Sequence, residues 1–116
     1  DEWMWVEGNH DPDLPDGIPG TPCFEIVLDN MVFRHEPEMC ETRAQVIGHY
    51  HPKNRTTISR RRYSGKCFTN NNSLFVMPAF GQFTGGLDID EDVMLTLLPK
   101  PTRQVFMLCD GIIFKI

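Results

Sequence analysis

Four histidines, His10, His35, His49 and His51, fall at three places in the chain, each at the end of an apolar run. His49 and His51 form an H-x-H pair behind Gly48. In extended backbone, positions i and i+2 share a face. Two imidazoles side by side can then bind one cation or two adjacent ones; the other reading is a surface pair with no ligand. Gly48 permits a turn or close backbone approach just ahead of them. Gly8-Asn9-His10-Asp11 puts an amide oxygen, an imidazole and a carboxylate on consecutive residues. An Asn carbonyl oxygen is an acceptable ligand for a hard or borderline cation. The neighbouring Asp can accept an imidazole N–H and hold the ring in one tautomer. The same string also fits an Asx turn in which Asn9 and Asp11 cap their own backbone. His35 stands alone before Glu36-Pro37. Strand ends and the loops beyond them are where sites are built.

The elements that must position these residues are mostly strands. Trp3, Met4, Trp5 and Val6 read as a buried strand, followed by a loop over 8–20 dense in Gly, Pro and Asp. Residues 23–28 and 31–35 are apolar runs around Asp29-Asn30, a hairpin signal. An acidic loop over 36–42 leads to a strand over 44–48. Residues 56–62 and 66–68 read as strands joined by a turn at Ser64-Gly65, and Asn70-Asn71-Asn72 as a second turn before a strand over 74–77. The stretch 78–87 is Gly-rich and irregular. A short helix is expected over 91–98, then a closing hairpin of 103–109 and 112–116 around Asp110-Gly111. The fold class is α+β and strand-rich.

At 116 residues the chain is one domain at most, or part of one. No apolar run approaches the ~18 residues of a membrane span, and no charged-then-apolar leader is present. The four cysteines, Cys23, Cys40, Cys67 and Cys109, show no C-x-x-C spacing, which suits reduced thiols in a cytoplasmic protein. A net charge of −5 gives no global attraction to nucleic acid. Locally the balance reverses. Lys53, Arg55, Arg60, Arg61, Arg62 and Lys66 are six of the eleven basic residues, and no acid interrupts residues 53–66. Lys53, Arg60 and Arg62 could guide a phosphodiester backbone; a strand with alternate arginines in water is the simpler reading.

Taken in order, Gly-Asn-His-Asp, a lone strand-end His and Gly-His-x-His resemble the later half of the calcineurin-like metallophosphoesterase signature. The resemblance is closer to the bacterial ligase-associated DNA damage response phosphoesterases. It rests on residues 3–12 (Trp-Met-Trp-Val-Glu-Gly-Asn-His-Asp-Pro), on Val32-Phe33-Arg34-His35-Glu36-Pro37, on Ile47-Gly48-His49-Tyr50-His51-Pro52 and on residues 77–87. It covers almost the whole chain, with 100–116 the least distinctive part.

The resemblance implies that Asn9, His35 and His49 are ligands of a second metal and that His51 reaches a first. His10 would face the substrate phosphate, steadying or protonating the leaving oxygen, with Asp11 orienting it. A hydroxide bridging two cations would attack phosphorus. Such donors suit Mn, Fe or Zn better than Mg or Ca. The family's upstream Asp-x-His and Gly-Asp-x-x-Asp are not in these residues, and Asp88-Ile89-Asp90 does not replace them. Residues 1–116 are therefore expected to be the C-terminal part of an αββα sandwich without its N-terminal strand–helix half, and Asp1 not to be the genetic N-terminus. Such a piece should bind one cation weakly, turn over negligibly alone, and need a complementary N-terminal segment or self-association to cover an apolar sheet face. The implied function is a metal-dependent phosphoesterase whose substrate is a phosphoester, DNA or RNA among the candidates, with no membrane partner. The alternative is a non-catalytic module that retains the sandwich and binds a metal or a nucleic acid.

Overall fold

The computed structural model describes residues 4–6, 21–81 and 85–116. Its strands are β1 (Met4–Val6), β2 (Thr21–Cys23), β3 (Glu25–Leu28), β4 (Met31–Arg34), β5 (Ala44–Ile47), β6 (Pro52–Ile58), β7 (Arg61–Asn70), β8 (Leu74–Val76), β9 (Leu87–Asp88), β10 (Gln104–Cys109) and β11 (Ile112–Lys115). The helix is α1 (Asp92–Leu97). Strand-rich architecture is as expected. Among the described residues no helix is long and apolar enough to cross a membrane.

Nine strands form one mixed sheet in the order β11-β10-β7-β8-β5-β4-β3, with β6 and β9 joined to it through β7. The pairs β4–β5, β5–β8 and β6–β9 are parallel, and the hairpin pairs antiparallel. Ile47, Val76, Met107, Cys67 and Val105 from the central strands pack with Ile89 and with Met94 and Leu98 at the helix. Burial pushes the Cys67 thiol up to about 12, which makes it an inert core residue.

Three two-residue hairpin loops organise the chain. Register closes at Leu28↔Met31, Ile58↔Arg61 and Cys109↔Ile112. The loop residues Asp29-Asn30, Ser59-Arg60 and Asp110-Gly111 all have positive φ. That is the type I′ geometry, whose twist matches the flanking strands.

Two expectations are corrected. Ser64-Gly65 is not a turn: both residues lie inside the ten-residue β7, and the chain reverses at Ser59-Arg60. Gly65 has a different reason to be glycine. A Cβ there would stand 2.8 Å from the Leu108 carbonyl oxygen, so its missing side chain lets β7 and β10 approach. Gly65→Ala is expected to cost about 1–3 kcal/mol by overpacking, read from urea unfolding midpoints; an unchanged midpoint would show that the strands separate freely. The first strand also differs, since Met4 is 46% exposed rather than buried. Among the described residues, β1 pairs with β2 in a two-stranded sheet apart from the large one.

Candidate functional site

The parallel pairing of β4 and β5 brings His35 and His49 together. His35 directly follows β4, and His49 lies two residues past β5. The Gly48 amide donates to the His35 carbonyl at 3.2 Å, which ties the two strand ends. His35 Nε2 and His49 Nδ1 are 3.1 Å apart, with the rings edge to face. On its far side, His49 Nε2 lies 3.2 Å from Glu36 Oε1.

An ionised carboxylate only accepts, so a hydrogen on His49 Nε2 would face the Glu36 carboxylate. His35 Nε2 and His49 Nδ1 share one hydrogen bond, and whichever ring carries the hydrogen there donates it to the other. Glu36 was visible in the sequence only as the neighbour of His35. The structure places its carboxylate oxygen 3.2 Å from His49 Nε2.

The H-x-H pair does not lie on extended backbone, which corrects the shared-face expectation. His49 has φ 65° and His51 has φ 50°. Apart from the three hairpin loops, these are the positive-φ residues among those described. Left-handed backbone costs a non-glycine residue about 1–3 kcal/mol and concentrates at functional sites. Gly48, by contrast, needs no special φ, and a Cβ there would make ordinary contact 3.8 Å from His35 Nδ1.

The two rings have different partners: His49 meets His35, and His51 does not. His51 Nδ1 lies 3.2 Å from the Gly85 carbonyl oxygen. A carbonyl can only accept, so His51 is protonated at Nδ1, with its lone pair on Nε2. Residues 85–89 are held against β6 by Leu87 N–H to His51 O, 3.1 Å, and Ile89 N–H to Lys53 O, 3.0 Å. A Cβ on Gly86 would stand 2.8 Å from the His51 carbonyl oxygen. Tyr50, between the histidines, stacks edge-on against His49 and packs on the core.

The His35–Glu36 loop is clamped from below. Arg34, at the end of β4, donates from Nη1 to Gln45 Oε1 at 2.9 Å and to Glu41 Oε1 at 3.2 Å, and also binds Glu25. Buried Gln45 accepts from the Glu38 amide at 2.8 Å and donates to the Glu38 carbonyl at 3.2 Å. Glu41 is bridged by Arg43, whose side-chain and backbone hydrogen bonds hold its carboxyl down at about 2. No spacing in the sequence announced this clamp, because its members are polar residues of ordinary type.

Two imidazole nitrogens bound to one cation at 2.0–2.1 Å stand about 2.9–3.4 Å apart. The His35–His49 separation of 3.1 Å falls in that range, so these residues fit a cation in place of the shared proton. Among the described residues no three His, Cys, Asp or Glu side chains come together as a metal-holding group. Asn9, His10 and Asp11 lie outside the described residues.

In comparisons with known proteins, no family model matches the chain, and neither does a curated protein. Among solved structures it is similar to the crystal structure of nuclease MPE from Pseudomonas putida, with a TM-score of 0.73 and 26% identity. The likeness covers 99% of this chain and 54% of that one. It is a likeness to part of a nuclease. The chain thus spans about half the length of the structure it matches.

Proposed function

We propose that this chain is part of a metal-dependent phosphoesterase that hydrolyses phosphodiesters of nucleic acid, and that it supplies the second sheet of an αββα sandwich. The observation that carries the reading is the meeting of His35 and His49 at 3.1 Å, with Glu36 behind the second ring. The nuclease likeness supports the substrate class.

In this reading His35 Nε2 and His49 Nδ1 are two ligands of one cation, with Asn9 as the third. Glu36 holds the His49 ring in the tautomer that turns a lone pair to the cation, as second carboxylates do for ligating histidines. His51 presents Nε2 to a neighbouring cation while Gly85 fixes its other nitrogen. His10 stands by the leaving oxygen, with Asp11 orienting its ring. When bound, Mn, Fe or Zn lowers the pKa of coordinated water and offsets charge on the phosphoryl oxygens. His49 meets His35 while His51 meets the Gly85 carbonyl, and separate partners suit two cations better than one.

The test is a Mn²⁺ titration of the chain followed by loss of the free-ion electron paramagnetic resonance signal, together with cleavage of a labelled oligonucleotide. One weakly bound cation and negligible turnover are expected for these 116 residues alone. Turnover should appear, and vanish with EDTA, when the chain is joined to a segment bearing Asp-x-His and Gly-Asp-x-x-Asp. No cation bound at millimolar Mn²⁺, or EDTA-resistant cleavage, would overturn the reading.

A further inference from the structure

The β6–β7 register sorts the basic segment onto faces. Lys53 pairs with Lys66, Arg55 with Ser64, and Thr57 with Arg62. Directly paired residues of an antiparallel ladder share a face, and so do positions two apart. Lys53, Arg55, Arg62 and Lys66 therefore lie on one face. The other face carries Tyr63, Gly65 and Arg61 and is turned toward the last hairpin. Tyr63 meets Phe114, a Cβ on Gly65 would meet the Leu108 carbonyl, and Arg61 lies 5.3 Å over the Tyr63 ring. Adjacent arginines, Arg61 and Arg62, thus have opposite surroundings.

Three features of the basic face call for an anion. First, among the described residues none of its four cations has an ion-pair partner, whereas Arg34, Arg43 and Arg103 all do. Lys66 is bound by the carbonyl oxygens of Ala79 and Gly81, which fix its amine without cancelling its charge. Second, Lys53 directly opposite Lys66 is a like-charge pair that destabilises the ladder. Third, Lys53, Arg55, Ser64 and Lys66 line an open groove of about 710 Å³. Asp88 and Glu91 also line it, against three cations, which leaves the balance positive. Beyond that groove the face continues to exposed Arg62.

We infer that this face is a track for the phosphodiester backbone of a single polynucleotide strand, running from Arg62 through Arg55 to Lys53 and Lys66 beside His51. The inference rests on the proposed function for its substrate class and adds where the substrate lies. Along-strand positions two apart are about 6.7 Å apart, similar to the phosphate repeat of an extended strand. Arg62, opposite Thr57, lies about 17 Å along β6 from Pro52, the residue after His51. A strand of several nucleotides is needed to reach both, so the track selects polynucleotides over short phosphoesters.

The test compares Arg62→Gln with Arg61→Gln, which remove the same charge from adjacent residues on opposite faces. Binding of a fluorescent twelve-nucleotide single strand is followed by anisotropy across a salt series, without metal. Arg62→Gln should weaken binding about fivefold and flatten the log K against log salt slope by about 0.7. Arg61→Gln should stay within twofold, Arg62→Lys should restore binding, and a labelled dinucleotide should not distinguish the variants. Equal effects of Arg61→Gln and Arg62→Gln, or no binding by the parent chain, would overturn the track. This readout needs neither cation nor turnover. Failure of Mn²⁺ binding with an Arg62-specific effect retained would sink the enzyme reading and leave the track standing.

Discussion

His49→Ala is expected to weaken Mn²⁺ binding by more than about 100-fold, exceeding the 10–100-fold typical of a residue that only orients a ligand. His49 is where the site's contacts meet: Nδ1 faces His35, and Nε2 faces Glu36. Without that ring, His35 has no second imidazole nitrogen at 3.1 Å and Glu36 has nothing to orient. Glu36→Gln should fall between the variant and the parent, because the amide still accepts from Nε2 but lacks the charge. The left-handed backbone at His49, φ 65°, complicates alanine, so His49→Gly separates the causes. Glycine adopts that φ at no steric cost. It should lose the cation as completely as alanine does while holding or raising the thermal midpoint. Cation affinity within threefold of the parent in both variants would remove His49 from the ligand set.

The second large effect is on the fold. Arg34→Ala should cost about 2–3 kcal/mol, from the loss of charge-assisted hydrogen bonds by a side chain only 10% exposed. Three elements lose a common partner: Glu25 on β3, Gln45 on β5 and Glu41 in the loop that carries His35. Denaturant unfolding measures the loss, and a change under 1 kcal/mol would show that Gln45 holds the loop alone. The acid dependence belongs to a neighbour. Glu41 is held at about 2 against an ordinary 4.5, chiefly by Arg43. A depressed carboxyl contributes stability above its unfolded pKa and loses it as pH falls through the folded one. The parent should therefore lose this contribution between about pH 4.5 and 2. Arg43→Ala should flatten that loss, and Arg34→Ala should leave most of it, because Arg34 is the least of the causes.

The hairpins show where pattern reading succeeds. Asp29-Asn30 and Asp110-Gly111 are residues that tolerate positive φ, so their turns were legible before any coordinates. Ser59-Arg60 has the same backbone, at φ 51° and 68°, but not the residue types that advertise it. Ser64-Gly65 has those types and sits in a strand, because a glycine required for strand approach is written with the same letter as one required for a turn. The H-x-H spacing misled in a similar way. Spacing describes side chains only once the backbone is known, and both histidines lie in left-handed turns.

Residue type and order in the sequence determined which groups have chemistry to offer: three described histidines at the ends of strands, a cation-rich segment without acids, and a strand-rich chain to hold them. Tertiary structure alone decided which of these meet. Parallel pairing of β4 and β5 joins His35 to His49 across fourteen residues, and His51 meets the Gly85 carbonyl instead. The β6–β7 register puts Lys53, Arg55, Arg62 and Lys66 on one face and turns Arg61 to the other, toward the last hairpin. The reason is that ligand geometry and charge clustering depend on distances through space, and strand pairing sets those distances between residues that the chain itself keeps apart.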